Sequence, residues 1–321
     1  MIFATSLCVA ALVIGVAAPR YLRPLLSPKL NPSLALSAWT ISLILFVLTL
    51  AAAPIALITR PGQYIPRLNS LVLTCAESLH NDELPWTSFA ELTLVSATIA
   101  LALRIGFVGS VLVSRHRQQT AQHLAMLKML CNRQSSEEVP QTLWLESPHP
   151  AAYSITAGRG VVVATEGLSA LTPQQQRAVL AHEHAHLRGK HHHLVLFAEI
   201  LGAALPFVPL CRQAPAWFRV LTELAADHCA AREFGPDAVR SALVRAADWD
   251  GGSRNDPLSK EFRPSTALSD RIHWLDVMPD RGPVSSAASY PVGAMLSALP
   301  GLLVVATGFC SFALYCLTRL R

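Results

Sequence analysis

Charge is what this sequence has least of. Only 15% of its 321 residues are Asp, Glu, Lys or Arg, while 52% are apolar. An ordinary soluble domain carries about a quarter charged residues. The deficit excludes a water-soluble globule for the whole chain, because it is concentrated in four long apolar stretches. Clustered basic residues are lacking as well. The net charge of +5 is scattered, much of it flanking apolar runs, which excludes the footprint of a nucleic-acid partner. The seven cysteines are odd in number and show neither pairing nor zinc-finger spacing, so a disulfide framework is excluded. There is no internal repeat and no low-complexity tract. No Lys or Arg precedes the first apolar run, which argues for a retained helix rather than a cleaved signal.

The apolar stretches Ile2–Ala18, Leu34–Ile58, Phe89–Val113 and Val292–Leu317 have the length of transmembrane helices. They divide the chain into a membrane region (1–113) with three helices, a soluble region (114–290), and a fourth helix with a short tail (291–321). Arg20, Arg23 and Lys29 follow the first helix, and Arg115, Arg117 and Lys128 follow the third. This bias puts 114–290 in the cytoplasm and Thr59–Ser88 outside a multi-pass plasma-membrane protein; Arg319 and Arg321 argue the other way. Glu91 and Arg104 lie within the third stretch. A charge there is costly, and Arg104 is expected to snorkel towards an end.

Within the soluble region, Gln118–Cys131 has helical apolar spacing. Thr142–Leu145 is a strand candidate, and the β-branched runs Ala152–Thr156 and Gly160–Thr165 read as paired strands. Thr172, Pro173 and Gln175 form a helix start with a capping box, and Gly189 is placed to end that helix. Leu194–Leu210 is apolar but interrupted by Pro206, Pro209 and Glu199, and is expected to be a helix or half-inserted hairpin at the membrane surface. Helices are predicted over Arg219–Phe234 and Ala238–Trp249, a loop over Gly251–Arg263, and a linker over Pro279–Ser289.

The chemistry centres on Ala181-His182-Glu183-His184-Ala185-His186-Leu187. On a helix, positions i and i+4 share a face, so His182 and His186 can bind one zinc ion. Glu183 is then placed to take a proton from a metal-bound water, whose pKa zinc lowers towards about 7. A chance HExxH on a solvated helix is the bland alternative. A strand pair before a capped helix is the setting that zinc peptidases use, and Gly160–Thr165 could serve as an edge strand for an extended substrate. A catalytic zinc needs a third protein ligand. Glu223, in Thr222-Glu223-Leu224-Ala225-Ala226-Asp227 and 37 residues after His186, is the best candidate. Asp227, one turn on, could fix the tautomer of a ligand imidazole. His184 is expected on the far side of its helix, His191, His192 and His193 as an interfacial polar patch, and His228 as a group that could approach the site.

The segments AHEHAHLRGKHH and ELAADHCAA resemble the BlaR/MecR-type membrane metallopeptidases, and are also similar to the HtpX and CAAX-protease type. The resemblance covers roughly Tyr153–Ala231. It implies one zinc held by His182, His186 and Glu223, with Glu183 as general base. The fold class is then a mostly α membrane protein: four transmembrane helices, with an α+β zincin-like metallopeptidase domain between the third and fourth. That layout favours the BlaR/MecR type. Those sensors continue into a penicillin-binding domain, whereas this sequence stops at Arg321, so no covalent β-lactam sensor is expected. The substrate implied is a protein or peptide, a cytoplasmic transcriptional repressor by analogy; the lipid bilayer is the other partner. Ser269-Asp270-Arg271-Ile272 resembles the Arg-Ile element of the HtpX-like group, although Arg263-Pro264 stands where that group has His-Pro. Arg271 would either steady an oxyanion or form a structural salt bridge. Against the zinc endopeptidase stand three alternatives: an HtpX-like quality-control protease, a non-catalytic signalling protein retaining the fold, and a metal transporter. The transporter ranks last, since the apolar stretches contain no histidine.

Overall fold

The computed structural model describes residues 2–27, 30–58, 86–130, 133–135, 141–156, 158, 160–252 and 268–278, with isolated positions between 299 and 310. Most of the expected fourth helix, the Pro279–Ser289 linker, 253–263 of the expected loop and 59–85 of the expected outer loop lie outside the described residues. Three long helices come first: α1 (Ile2–Leu22), α2 (Pro32–Ile58) and α3 (Trp86–Leu130). Among the described residues, three helices are long and apolar enough to cross a membrane, over Leu7–Leu25, Pro32–Ala53 and Leu92–Leu127. The expected break after Val113 is absent. One helix of 45 residues runs through it, because 114–119 hold no Gly or Pro to interrupt the hydrogen-bond ladder. At 1.5 Å per residue it is roughly 68 Å long, about twice the hydrocarbon thickness.

A four-stranded sheet follows, in the order β1-β2-β4-β3, from β1 (Arg133–Ser135), β2 (Gln141–Leu145), β3 (Ala152–Ile155) and β4 (Val161–Thr165). β3 and β4 pair antiparallel as expected, with Tyr153 opposite Val163, while β2 and β4 pair parallel, with Leu143 opposite Val163. Gly160–Thr165 is therefore no edge. β4 is interior and buried at every position, as a continuous Val-rich run covered on both faces should be. The edge strand beside the histidine helix is β3.

That helix, α4 (Pro173–Arg188), starts at the expected box: the Thr172 hydroxyl accepts from the Gln175 amide at 3.4 Å, and the Gln175 side chain accepts from the Thr172 amide at 3.0 Å. Then come α5 (His191–Ala204), α6 (Pro209–Phe234), α7 (Pro236–Gly252) and α8 (Leu268–Val277). Small residues set the approach of α6 to the others. Ala178 and Ala181 of α4 pack with Ala230 and Ala231 of α6, joined by Val239 and Leu275, which lets the polar side chains one turn away meet.

Leu194–Leu210 is helical over most of its length, as expected, but it is not confined to the surface of the fold. It forms α5 and the turn into α6, and Leu201, Leu205 and Leu210 share one buried core with Ile14, Trp39, Leu43 and Phe218. Pro215 has no N–H for the Cys211 carbonyl. Both groups press on Gly202 of α5, where a Cβ would stand 2.8 Å from Pro215 Cγ and 3.0 Å from the Cys211 oxygen. Arg104 does not snorkel to an end either: its Nε donates to the Ala204 carbonyl at 2.7 Å.

Candidate metal centre

α4 presents His182 and His186 one turn apart, their Nε2 atoms 3.1 Å from each other. α6 brings in Glu223, whose Oε2 lies 3.7 Å from His182 Nε2 and whose Oε1 lies 3.6 Å from His186 Nε2. Two imidazole nitrogens and a carboxylate thus converge on one point, all ligand atoms within 4.8 Å of one another. Metal–ligand bonds of about 2.0–2.1 Å at tetrahedral angles put ligand atoms about 3.3 Å apart. The three separations bracket that value, so the donor set fits zinc in both chemistry and spacing.

The groups behind the cluster are held by close polar contacts of their own. Asp227 Oδ1 lies 2.9 Å from His182 Nδ1, which turns Nε2 towards Glu223. Asp227 is itself clamped by Arg271 of α8, which donates from Nε to Oδ2 at 2.7 Å and from Nη2 to Oδ1 at 2.6 Å. Arg271 Nη1 stands 3.3 Å from Glu223 Oε2. One guanidinium therefore holds both carboxylates, at 4% exposure for the arginine and 2% for Asp227. The fork geometry of Arg suits this double task.

The charges shift one another strongly. Burial would lift Glu223, but the hydrogen bond and charge of His182, with the charge of Arg271, hold it down at about 2. Burial likewise opposes the ionised Asp227, and Arg271 overcomes it, keeping that carboxyl below its usual range. Burial would depress His182, but Asp227 and Glu223 raise it to about 10. His186 is driven down to about 2 by burial and by the charge on His182. Two rings 3.1 Å apart cannot both be cationic. Glu183 is lifted to about 7, by burial first, against the pull of His182 and with the push of Glu223; a hydrogen bond from Ser154 of β3 partly offsets the rise. A carboxyl near neutrality is poised for proton transfer.

The histidines after α4 correct the expected polar patch. Only His193 of the three is exposed. His191 is buried, its Nδ1 3.1 Å from Nδ1 of His186, and His192 Nε2 lies 3.2 Å from the Ser154 hydroxyl. The α4–α5 turn produces this. Lys190 adopts a left-handed conformation (φ 50°, ψ 37°), and a Cβ on Gly189 would fall 2.3 Å from His191 Nε2. The Gly189-Lys190 pair was the signal in the sequence, visible only as a helix end. His228 is not brought to the cluster. It sits half-buried on another sector of α6, its imidazole depressed by burial and by Arg232 one turn on. His184 is half-buried on its own sector of α4.

A convergent His/His/Glu set on two helices beside a small mixed sheet has the make-up of a metallopeptidase site. Residues 115–211 match the model of Peptidase family M48, which supports that metallopeptidase family, whose members are zinc metalloproteases. The matched segment holds the HExxH helix and ends before Glu223, Asp227 and Arg271. No curated protein and no solved structure matches the chain.

Proposed function

We propose that this protein is a membrane-embedded zinc-dependent endopeptidase. The observation that carries the reading is the meeting of His182 and His186 on α4 with Glu223 on α6. Those three residues would hold one zinc ion, which supplies Lewis acidity for a water and for the scissile carbonyl. Glu183 acts as general base through its carboxylate oxygen, accepting a proton from the attacking water and passing it to the leaving amine. Burial keeps Glu183 near neutrality, where it can do both. Asp227 orients His182, and Arg271 holds Asp227 and Glu223 in place. Because its guanidinium is committed to those carboxylates, the structural role of Arg271 is favoured over an oxyanion contact. β3, next to Glu183 through Ser154, is the strand a substrate backbone would join.

The three apolar helices support a membrane location; the Lys/Arg bias at their ends supports a cytoplasmic peptidase region, and the plasma membrane is the proposed site. The resemblance to BlaR/MecR-type enzymes supports regulatory proteolysis of a cytoplasmic repressor; an HtpX-like quality-control role is the alternative, and substrate identity separates them. The test is purified full-length protein assayed for zinc and for cleavage of unfolded polypeptide. We expect close to one zinc per chain, and activity that falls by about 10²–10⁴ in Glu183→Gln with zinc retained. Wild-type cleavage by Glu183→Gln, or zinc retained in both His186→Ala and Glu223→Ala, would sink the proposal.

A further inference from the structure

α5 and α6 form a helical hairpin whose tip, Leu205–Pro209, carries no charged side chain. Several contacts gauge how far it reaches along α1, α2 and α3. A Cβ on Gly15 of α1 would stand 3.0 Å from Val208 and 3.1 Å from Phe46 of α2. Arg104 of α3 donates to the Ala204 carbonyl, and a Cβ on Gly109 would lie 3.5 Å from Ile200. Trp217 of α6 stacks near Trp39 of α2 with ring centroids 6.2 Å apart. These contacts are in register. Going down α5 from Ile200 to Ala204 matches going up α3 from Gly109 to Arg104. Going back along α6 from Trp217 to Val208 at the tip matches going up α2 from Trp39 to Phe46, since Val208 and Phe46 both face Gly15. The hairpin therefore runs alongside the long helices instead of capping their ends.

Its depth follows from helix geometry. Leu22 ends α1 and Pro32 begins α2, so both mark the same end of the pair. Gly15 is seven residues from Leu22, and Phe46 is fourteen from Pro32. At 1.5 Å per residue these are roughly 10 and 20 Å, against a hydrocarbon core of about 30 Å. The tip thus stands at mid-depth.

Chemistry at the tip agrees. The last carbonyls of a helix lack intrahelical partners, and lipid cannot supply donors. Arg104 supplies one to α5, with a positive charge that suits a helix C-terminus. Water would make that donor unnecessary. Phe207, at the tip, is 68% exposed. The carboxylate on α5, Glu199, is paired with Arg219 of α6.

We propose that the α5–α6 hairpin is a re-entrant membrane element, its tip among lipid acyl chains near the middle of the bilayer, with Arg104 closing the end of α5 there. This rests on the membrane-embedded reading of α1–α3. It ties the metal centre to the bilayer, since α5 begins at His191, which contacts His186, and runs 14 residues to the tip.

The test uses full-length protein with its native cysteines replaced by alanine, reconstituted into phosphatidylcholine vesicles. Spin labels are placed at Phe207→Cys, at Ile44→Cys on the exposed face of α2, and at Arg188→Cys. Collisions with oxygen and with a water-soluble nickel chelate are measured. The label at 207 should match that at 44, open to oxygen and shielded from nickel. A label at 207 as open to nickel as that at 188, with 44 still shielded, overturns the hairpin proposal alone. Nickel access at 44 as well overturns the membrane reading and the proposal with it. A second measurement bears on Arg104. If it caps α5, Arg104→Leu lowers the melting temperature and Arg104→Gln, which keeps an N–H donor, lowers it less. A rise in Arg104→Leu would show a charge merely stranded in lipid, and would overturn the capping role.

Discussion

The core shared by α1, α2, α5 and α6 and the contact of α4 with α6 and α8 are both largely buried, but they are buried in different ways. In the first, Ile14, Trp39, Leu43 and Phe218 are fully enclosed, and the buried Ser42 and Thr49 satisfy their hydroxyls on their own helix carbonyls. Each side chain there contributes by close packing against its neighbours. In the second, Asp227, Arg271 and His186 are enclosed together. None would be stable there alone, because a buried charge needs its partners. The apolar half therefore tolerates a change of shape that keeps volume, whereas the polar half fails when one member is removed.

Asp227→Ala should show the largest effect that sharpens this contrast. It strands Arg271 without its bidentate partner and His182 without its orienting one. We expect a loss of about 3–5 kcal/mol in unfolding free energy, part of it recovered when Arg271→Met is added. The comparison breaks if Asp227→Ala costs no more than a volume-conserving swap in the other half, below about 1.5 kcal/mol. Gly202→Ala probes the apolar half where it is tightest. Its new methyl group meets Pro215 and the Cys211 carbonyl, and overpacking of this kind costs about 1–3 kcal/mol; an unchanged denaturation midpoint would show that α5 and α6 can slide apart. His191→Ala removes the group behind a metal ligand. Competition with a chelator should show zinc affinity down by about 10–100-fold; unchanged affinity would show that His191 does not support the ligand. Thr172→Ala should have the smallest effect, about 1 kcal/mol from the lost cap, and the capping-box reading fails if thermal denaturation detects none.

How much of this was legible differs residue by residue. The start of α4 was, because Thr172, Pro173 and Gln175 act on each other within one turn. The pairing of β3 with β4 was, since two β-branched runs separated by Ala157-Gly158-Arg159 have little else to do. The three site residues were named from spacing along helices, and the structure brings His182, His186 and Glu223 together. Apart from the missed continuity of α3 through Val113, the failures are matters of neighbours. β4 was expected at an edge because its parallel partner β2 precedes β3 in the chain. His191 was read as surface because a polar residue beside two other histidines looks solvated until the turn at Lys190 folds it under His186. Arg104 was expected to reach for an end because its acceptor, Ala204, is 100 residues away. Between two explanations for Arg271 the residues around it gave no basis for choice.

The order of residues by itself determined where the histidine helix starts and stops, which stretches are apolar enough for a membrane, and that two imidazoles share a helical face. These are effects of periodicity and capping, which act across a turn or two of chain. Tertiary structure alone decided that Arg271 grips both carboxylates, that His191 backs His186, and that the Leu205–Pro209 turn lies against the middle of α1 and α2. Those depend on which helices touch and how closely their small residues let them approach, and no local pattern carries that information.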